Sequence, residues 1–143
     1  MENNFDVIIA GCGAAGLYGA INLPSDCRVL LLCKQELTLC NSALAQGGIA
    51  GVYKSPDGEL HRTLEGGHSR HRIFHHKDAT GAEILDKLIK KVKTLPNVTI
   101  LEHAMMMGMQ KTGTGFSVNV MQGGSCTVYS SHFMMLATGG IGR

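Results

Sequence analysis

The sequence is short of the features that would place it in a membrane, on nucleic acid or in an oxidising compartment. Its longest apolar runs, such as Val29–Leu32 and Phe133–Ala137, fall far below the roughly 20 residues needed to cross a bilayer as a helix. The N-terminus places Glu2 and Asp6 around a short strand-like run, where a signal peptide would have a basic region and an apolar core. A formal net charge of +2 is too mild to draw the chain to nucleic acid or an anionic membrane. The five cysteines, Cys12, Cys27, Cys33, Cys40 and Cys126, form no Cys-x-x-Cys pair and are odd in number. That argues against a disulfide framework or zinc knuckle and for small semi-apolar residues in a reducing compartment. No internal repeat and no linker-like break interrupts the chain. The expectation is one soluble, cytoplasmic domain over residues 1–143, with no nucleic-acid or membrane partner and no metal.

Proline is scarce, with 3 residues, while glycine is abundant, with 19. The glycines sit at turns between apolar runs, as expected where backbone must approach a ligand closely. A hydrophobic fraction of 44% and a charged fraction of 17% are those of an ordinary globular chain.

Phe5–Ala10 reads as a buried strand, Gly11–Gly16 as a tight turn, Leu17–Leu23 as a helix ended by Pro24, and Cys27–Cys33 as a second buried strand. About thirty residues is the length of a βαβ crossover. Lys34–Gly51 reads as an irregular stretch with one helical turn, and Ser55-Pro56-Asp57-Gly58 as a turn. Gly81–Leu95 is an amphipathic helix. Ile84, Leu85, Leu88, Ile89 and Val92 share one face, Thr80 and Glu83 fit a capping box, and Pro96 stops it. Asn97–Glu102 is a strand. Met105–Lys111, Phe116–Gln122 and Cys126–Ser130 read as an antiparallel meander, and His132–Ala137 as a further buried strand. The fold class expected is α/β, a Rossmann-type domain with a parallel sheet and a small antiparallel meander.

Gly11-Cys12-Gly13-Ala14-Ala15-Gly16 fits G-x-G-x-x-G. Its glycines serve a tight turn, close approach of a pyrophosphate, and close helix-on-strand packing. The helix start offers amide N–H groups and partial positive charge to phosphate. Because the run follows a strand, opens a helix and leads to a second strand, it points to dinucleotide binding. The acid that would hold a ribose is expected about 20 residues further on. The second strand ends instead in Cys33-Lys34, with Glu36 the nearest carboxylate.

Asp6–Gly11, Cys33-Lys34 and Asn41-Ser42-Ala43-Leu44-Ala45-Gln46-Gly47-Gly48-Ile49 resemble the FAD-binding region of the succinate dehydrogenase/fumarate reductase flavoprotein family. Leu64-Glu65-Gly66-Gly67-His68-Ser69, Arg72–His75 and Asp78–Gly81 are similar to its L-aspartate oxidase branch, and Ala137-Thr138-Gly139-Gly140 resembles the family's strand end facing the flavin. The resemblance implies that FAD is the cofactor, with Gly11, Cys12, Gly13, Ala14, Ala15 and Gly16 at its pyrophosphate and Lys34 beside the adenosine half. Asn41, Ser42, Ala43, Leu44, Ala45, Gln46, Gly47 and Gly48 would wrap the flavin side, with Thr138 and Gly139 nearby. Met106 and Met107 would pass backbone groups to the adenine, while the side chains of Met105-Met106-Met107 read as core filling.

In the dehydrogenase branch a histidine is joined covalently to FAD where Asn41 stands, so noncovalent FAD is implied. Glu65 matches a family glutamate that orients the substrate amino group, and a carboxylate there would attract the ammonium of L-aspartate. His61, His68, His71, His75 and His76, with Arg62, Arg70 and Arg72, fit no zinc-finger spacing. They read better as an anion-attracting wall for a dicarboxylate, or as solvated loop residues.

The resemblance further implies oxidation of L-aspartate to iminoaspartate for quinolinate and NAD synthesis, with quinolinate synthase downstream. The alternatives are a fumarate reductase-like dicarboxylate oxidoreductase and a non-catalytic nucleotide-binding remnant. Relative to the family, a segment between the Gly-Gly-Ile-Ala and Leu-Glu-Gly-Gly-His stretches is expected to be missing, as is a capping domain bearing a catalytic arginine.

Overall fold

In a computed structural model the structure describes residues 3–46, 48–50, 62–63, 69, 73–74 and 80–140. The first strand, β1, is Asn4–Ala10. Its run Val7-Ile8-Ile9-Ala10 is buried throughout, as a strand covered on both faces must be. Helix α1, Ala14–Asn22, begins three residues earlier than the sequence pattern suggests, because the last three fingerprint residues already form its first turn. Strand β2, Val29–Leu32, is also buried along its length.

The small strands β3 (Ile49–Ala50), β4 (Arg62–Thr63) and β5 (Ile73–Phe74) form an antiparallel sheet in the order β3-β5-β4. Strands of two residues leave no periodic trace, and the sequence gives no sign of them. Helix α2 is Thr80–Val92, with Leu85, Ile89 and Val92 buried. Thr80 is its first helical residue, one position inside the cap expected for it. The turn expected at Ser55–Gly58 lies outside the described residues.

Strands β6 (Val98–Leu101), β7 (Ala104–Lys111), β8 (Phe116–Gln122) and β9 (Ser125–Leu136) complete a six-stranded sheet in the order β6-β2-β1-β9-β8-β7. Its first four strands are parallel, with Val7 beside both Val29 and Phe133, and Val29 beside Val98. Strands β7, β8 and β9 form the antiparallel meander. Gly123 and Gly124, at φ 56° and 80°, close the β8–β9 hairpin with the two left-handed residues that a tight turn there requires.

The separate strands expected at Cys126–Ser130 and His132–Ala137 are one strand of 12 residues. No glycine, proline, asparagine or aspartate separates them, and Ser131 pairs both with Phe116 of β8 and with Phe5 of β1. The expectation that its second half is buried is also corrected, since Phe133 is 68% exposed and Leu136 54%.

Two apolar cores flank the parallel strands. On one face Ile9, Leu31 and Cys33 pack with Leu17 of α1 and Leu85, Ile89 and Val92 of α2. On the other, Ile8, Leu30 and Leu32 pack with Val118, Val120 and Tyr129 of the meander. Burying a Leu or Ile side chain contributes about 1.5–3 kcal/mol, so these contacts hold α1 rigidly against the strand ends. No helix among the described residues is long and apolar enough to cross a membrane.

Candidate functional site

The parallel strands run β6-β2-β1-β9. The chain moves one way from β1 to β2 and β6, and the other way to β9, so the order reverses at β1. Ligands of open α/β sheets bind in the crevice beyond the strands' carboxyl ends at such a reversal. A cavity of about 420 Å³ lies there. It is lined by Gly11–Ala15 after β1, Lys34 and Gln35 after β2, Leu39–Ser42 beyond them, and Ala137–Gly140 after β9.

The fingerprint glycines explain how backbone comes so close. Gly11 has φ +112°, and a Cβ there would lie 2.2 Å from the Ala137 carbonyl oxygen. A Cβ on Gly16 would lie 1.9 Å from the Gly11 carbonyl oxygen. Neither position accepts a side chain while the turn keeps its path. Gly13 is the N-cap of α1, without a side-chain cap, and no acidic residue stands in the helix's first turn. The partial positive charge of that helix end therefore faces the cavity with no carboxylate of its own turn to offset it.

The Ala14 amide donates to Ser42 Oγ at 3.2 Å, which docks the loop after β2 against the turn. Farther along, the Gly81 amide donates to the Ala45 carbonyl at 3.1 Å. A Cβ on Gly81 would lie 2.2 Å from the Ser42 carbonyl oxygen, so α2 supports the Ser42–Ala45 segment by backbone contact. Among the described residues no cluster of three or more His, Cys, Asp or Glu could hold a metal.

Cys12 and Cys33, both buried, meet at the ends of β1 and β2. The Gly11 amide bonds to the Leu32 carbonyl at 3.0 Å, bringing these ends together. Hydrogen bonding from the Cys33 thiol pulls Cys12 below the ordinary thiol range. Cys33, which gives that bond and is buried, is pushed well above it.

The family described as FAD binding domain matches residues 6–62. L-aspartate oxidase of Clostridium perfringens is 32% identical, covering 99% of this chain and 43% of its own length. That of Clostridium acetobutylicum is 30% identical, covering 99% and 44%. In fold, the chain superposes on Mycobacterium smegmatis Sdh1 in complex with UQ1 with a TM-score of 0.87 at 18% identity, covering 99% of this chain and 35% of that one. An E. coli quinol fumarate reductase FrdA variant gives 0.86 at 17% identity, covering 98% and 33%.

The chain belongs to the FAD-binding flavoproteins.

This flavoprotein chain spans less than half the length of the L-aspartate oxidases quoted above. The alignment with the C. perfringens relative runs over 192 positions against a chain of 143 residues, so about fifty positions of that relative have no counterpart here. The resemblance read from the sequence likewise implies a missing internal segment.

The residues implied by the resemblance fall into groups. Gly11, Cys12, Gly13, Ala14, Ala15, Lys34, Asn41, Ser42, Thr138 and Gly139 share the cavity. Gly16 is buried beneath it, shaping the turn. Ala43 packs on the helix-side core, and Leu44 lines a smaller adjoining pocket with Leu39 and Cys40. Ala45, Gln46 and Gly48 are exposed beyond it.

Met106 packs on the meander-side core, as expected of a core-filling residue. Met105 and Met107 instead are 42% and 54% exposed, because side chains alternate along β7 and these two lie on the face opposite Ala104 and Met106. Gly47, Glu65 and the histidines His61, His68, His71, His75 and His76 lie outside the described residues. The sequence reading missed Glu102, whose carboxylate accepts from the Leu37 amide at 2.7 Å.

Proposed function

We propose that the chain, as one cofactor-binding unit, supplies the FAD-binding portion of an L-aspartate oxidase-like enzyme that oxidises L-aspartate to iminoaspartate, feeding quinolinate and NAD synthesis. The observation that carries this reading is the cradle at the β1/β9 reversal. Glycine backbone, a helix start with no acidic residue in its first turn and Lys34 converge there on one cavity. Those groups fit a dinucleotide diphosphate, since amide donors and a cation suit phosphate oxygens and Gly13 leaves room for them. The names of the sequence relatives support aspartate as substrate.

FAD supplies the two-electron acceptor that such an oxidation needs. The chain's own work is binding and orientation. The Gly11–Gly16 turn holds the diphosphate, Lys34 stands by the adenosine half, and Asn41–Gly48 with Thr138 and Gly139 border the flavin half. Asn41 offers an amide, which forms no covalent flavin link, so the cofactor is held noncovalently. Glu65 receives the substrate ammonium.

Titration of the purified chain with FAD, followed by acid precipitation, tests the cofactor part. Flavin should bind and then leave with the supernatant; flavin retained in the pellet, or none taken up, refutes it. In the complete enzyme containing this chain, anaerobic L-aspartate should bleach the flavin and succinate should not. Glu65→Gln should abolish bleaching by aspartate, and unchanged turnover removes Glu65 from the site.

A further inference from the structure

The G-x-G-x-x-G pattern calls for an acid at the end of the second strand to hold the adenosine ribose. In this chain β2 runs into Cys33-Lys34, and Glu36 is exposed. A carboxylate does reach this segment, but from β6. Glu102, half-buried just after that strand, accepts the Leu37 amide at 2.7 Å.

Three backbone bonds join the same two segments. The Cys33 amide donates to the Leu101 carbonyl at 2.8 Å, the Ala104 amide to the Cys33 carbonyl at 2.8 Å, and the His103 amide to the Gln35 carbonyl at 3.4 Å. His103 has φ 53°, a left-handed conformation that costs a non-glycine residue energy and here turns the chain sharply between β6 and β7. From β8, Gln122 Nε2 donates to the Glu102 carbonyl at 2.8 Å, fixing the main chain that carries the carboxylate. Leu37 is anchored in the helix-side core at 2% exposure. Lys34 and Gln35, within the stretch so held, line the diphosphate cavity, and Glu102 does not.

We propose that Glu102 is a positioning residue for the adenosine half of the cofactor. It fixes the path of Lys34–Leu37 so that this segment, lacking a ribose-binding acid of its own, presents Lys34 and its backbone to the adenosine diphosphate. The inference rests on the FAD reading of the cavity. It predicts an effect confined to ligands that carry adenosine.

The test uses the whole chain, its Glu102→Ala and Glu102→Gln variants, and three probes: ADP, FAD and FMN, each titrated calorimetrically. Glu102→Ala should weaken ADP and FAD roughly tenfold, the loss expected of one charge-assisted hydrogen bond, and leave FMN unchanged. Glu102→Gln, whose amide oxygen still accepts from Leu37, should recover to within about threefold of the parent, a neutral acceptor being the weaker. Hydrogen exchange at the Leu37 amide should quicken in Glu102→Ala and return toward the parent rate in Glu102→Gln. A parent chain that binds ADP while Glu102→Ala binds it equally well overturns the inference alone. So does an FMN loss that matches the ADP loss, which marks a general structural role. A parent chain that takes up neither ADP nor FAD overturns the reading of the cavity and this inference with it.

Discussion

The amide of Ala14, first residue of α1, donates to the hydroxyl of Ser42, 28 residues away, at 3.2 Å. The helix that would receive a diphosphate is thus capped from outside, by a loop bordering the opposite half of the cavity. A cap supplied by a distant loop ties the position of that loop to the helix end. Ser42→Ala should therefore cost about 1 kcal/mol of stability, the usual worth of a helix N-cap, and weaken FAD several-fold. Thermal unfolding and flavin fluorescence titration check the two effects, and equal FAD affinity in Ser42→Ala would uncouple the loop from the turn.

The glycines of the fingerprint should separate by what surrounds them. Gly16→Ala forces a Cβ into the Gly11 carbonyl oxygen, and backbone at both ends must move. A loss of about 3 kcal/mol, the upper end for an overpacked site, is expected, together with loss of FAD uptake. A Cβ on Gly13 would meet only Ser42 Oγ, at 3.2 Å, so Gly13→Ala should fold nearly normally and yet bind FAD poorly. At Gly108 nothing lies within 4 Å, and Gly108→Ala should change neither measurement.

Stability should fall in mild alkali because of Cys33. Its thiol pKa is raised in the fold by the hydrogen bond to Cys12 and by burial, so the unfolded chain loses that proton first, from about pH 8.5 upward. Above that pH the native state holds more protons, and its stability declines by up to about 1.4 kcal/mol per pH unit. Cys12 has the opposite sign: its pKa is lowered in the fold, so its contribution grows with pH and levels off near pH 8.5. The difference between the parent and the double variant Cys12→Ala/Cys33→Ala, followed by denaturant unfolding from pH 8.5 to 10, where the Cys12 contribution is level, isolates the Cys33 slope. Parallel curves would remove the thiol pair as its cause.

Asn97 joins the entry of β2 to that of β6. Its Nδ2 donates to the Cys27 carbonyl at 2.8 Å and to the Pro24 carbonyl at 3.2 Å. Asn97→Ala removes both bonds at the end of the sheet away from the cavity. It should cost about 1–2 kcal/mol with FAD affinity unchanged, and a fall in affinity would show that the two ends of the sheet communicate.

The sequence reveals β1, α1 and β2 because each carries a local signal: an unbroken apolar run, a glycine pattern with fixed spacing, and a proline near the helix end. Phe133 misleads for a physical reason. An apolar run suggests burial, but neither α1 nor α2 covers this residue. The length of β9 is hidden because one strand joins two partners of opposite sense, and each half resembles a separate element. Glu102 is hidden because the fingerprint directs attention just beyond the glycines, whereas the carboxylate that accepts the Leu37 amide stands 65 residues past Leu37. Sheet order, absent from local pattern, decides that pairing.

The union of β1 with β9 governs when the chain can take up a nucleotide. Asn4 pairs with Ser130 and Ala10 with Leu136, and the Ala137 amide closes the ladder on the Ala10 carbonyl at 2.8 Å. One wall of the glycine turn is therefore made by residues more than a hundred positions further along the chain. During synthesis the first strand must wait, unpaired on that side, for a partner more than a hundred residues downstream, a closure of high contact order and correspondingly slow. Cofactor loading accordingly waits until the meander has emerged and folded back across the sheet.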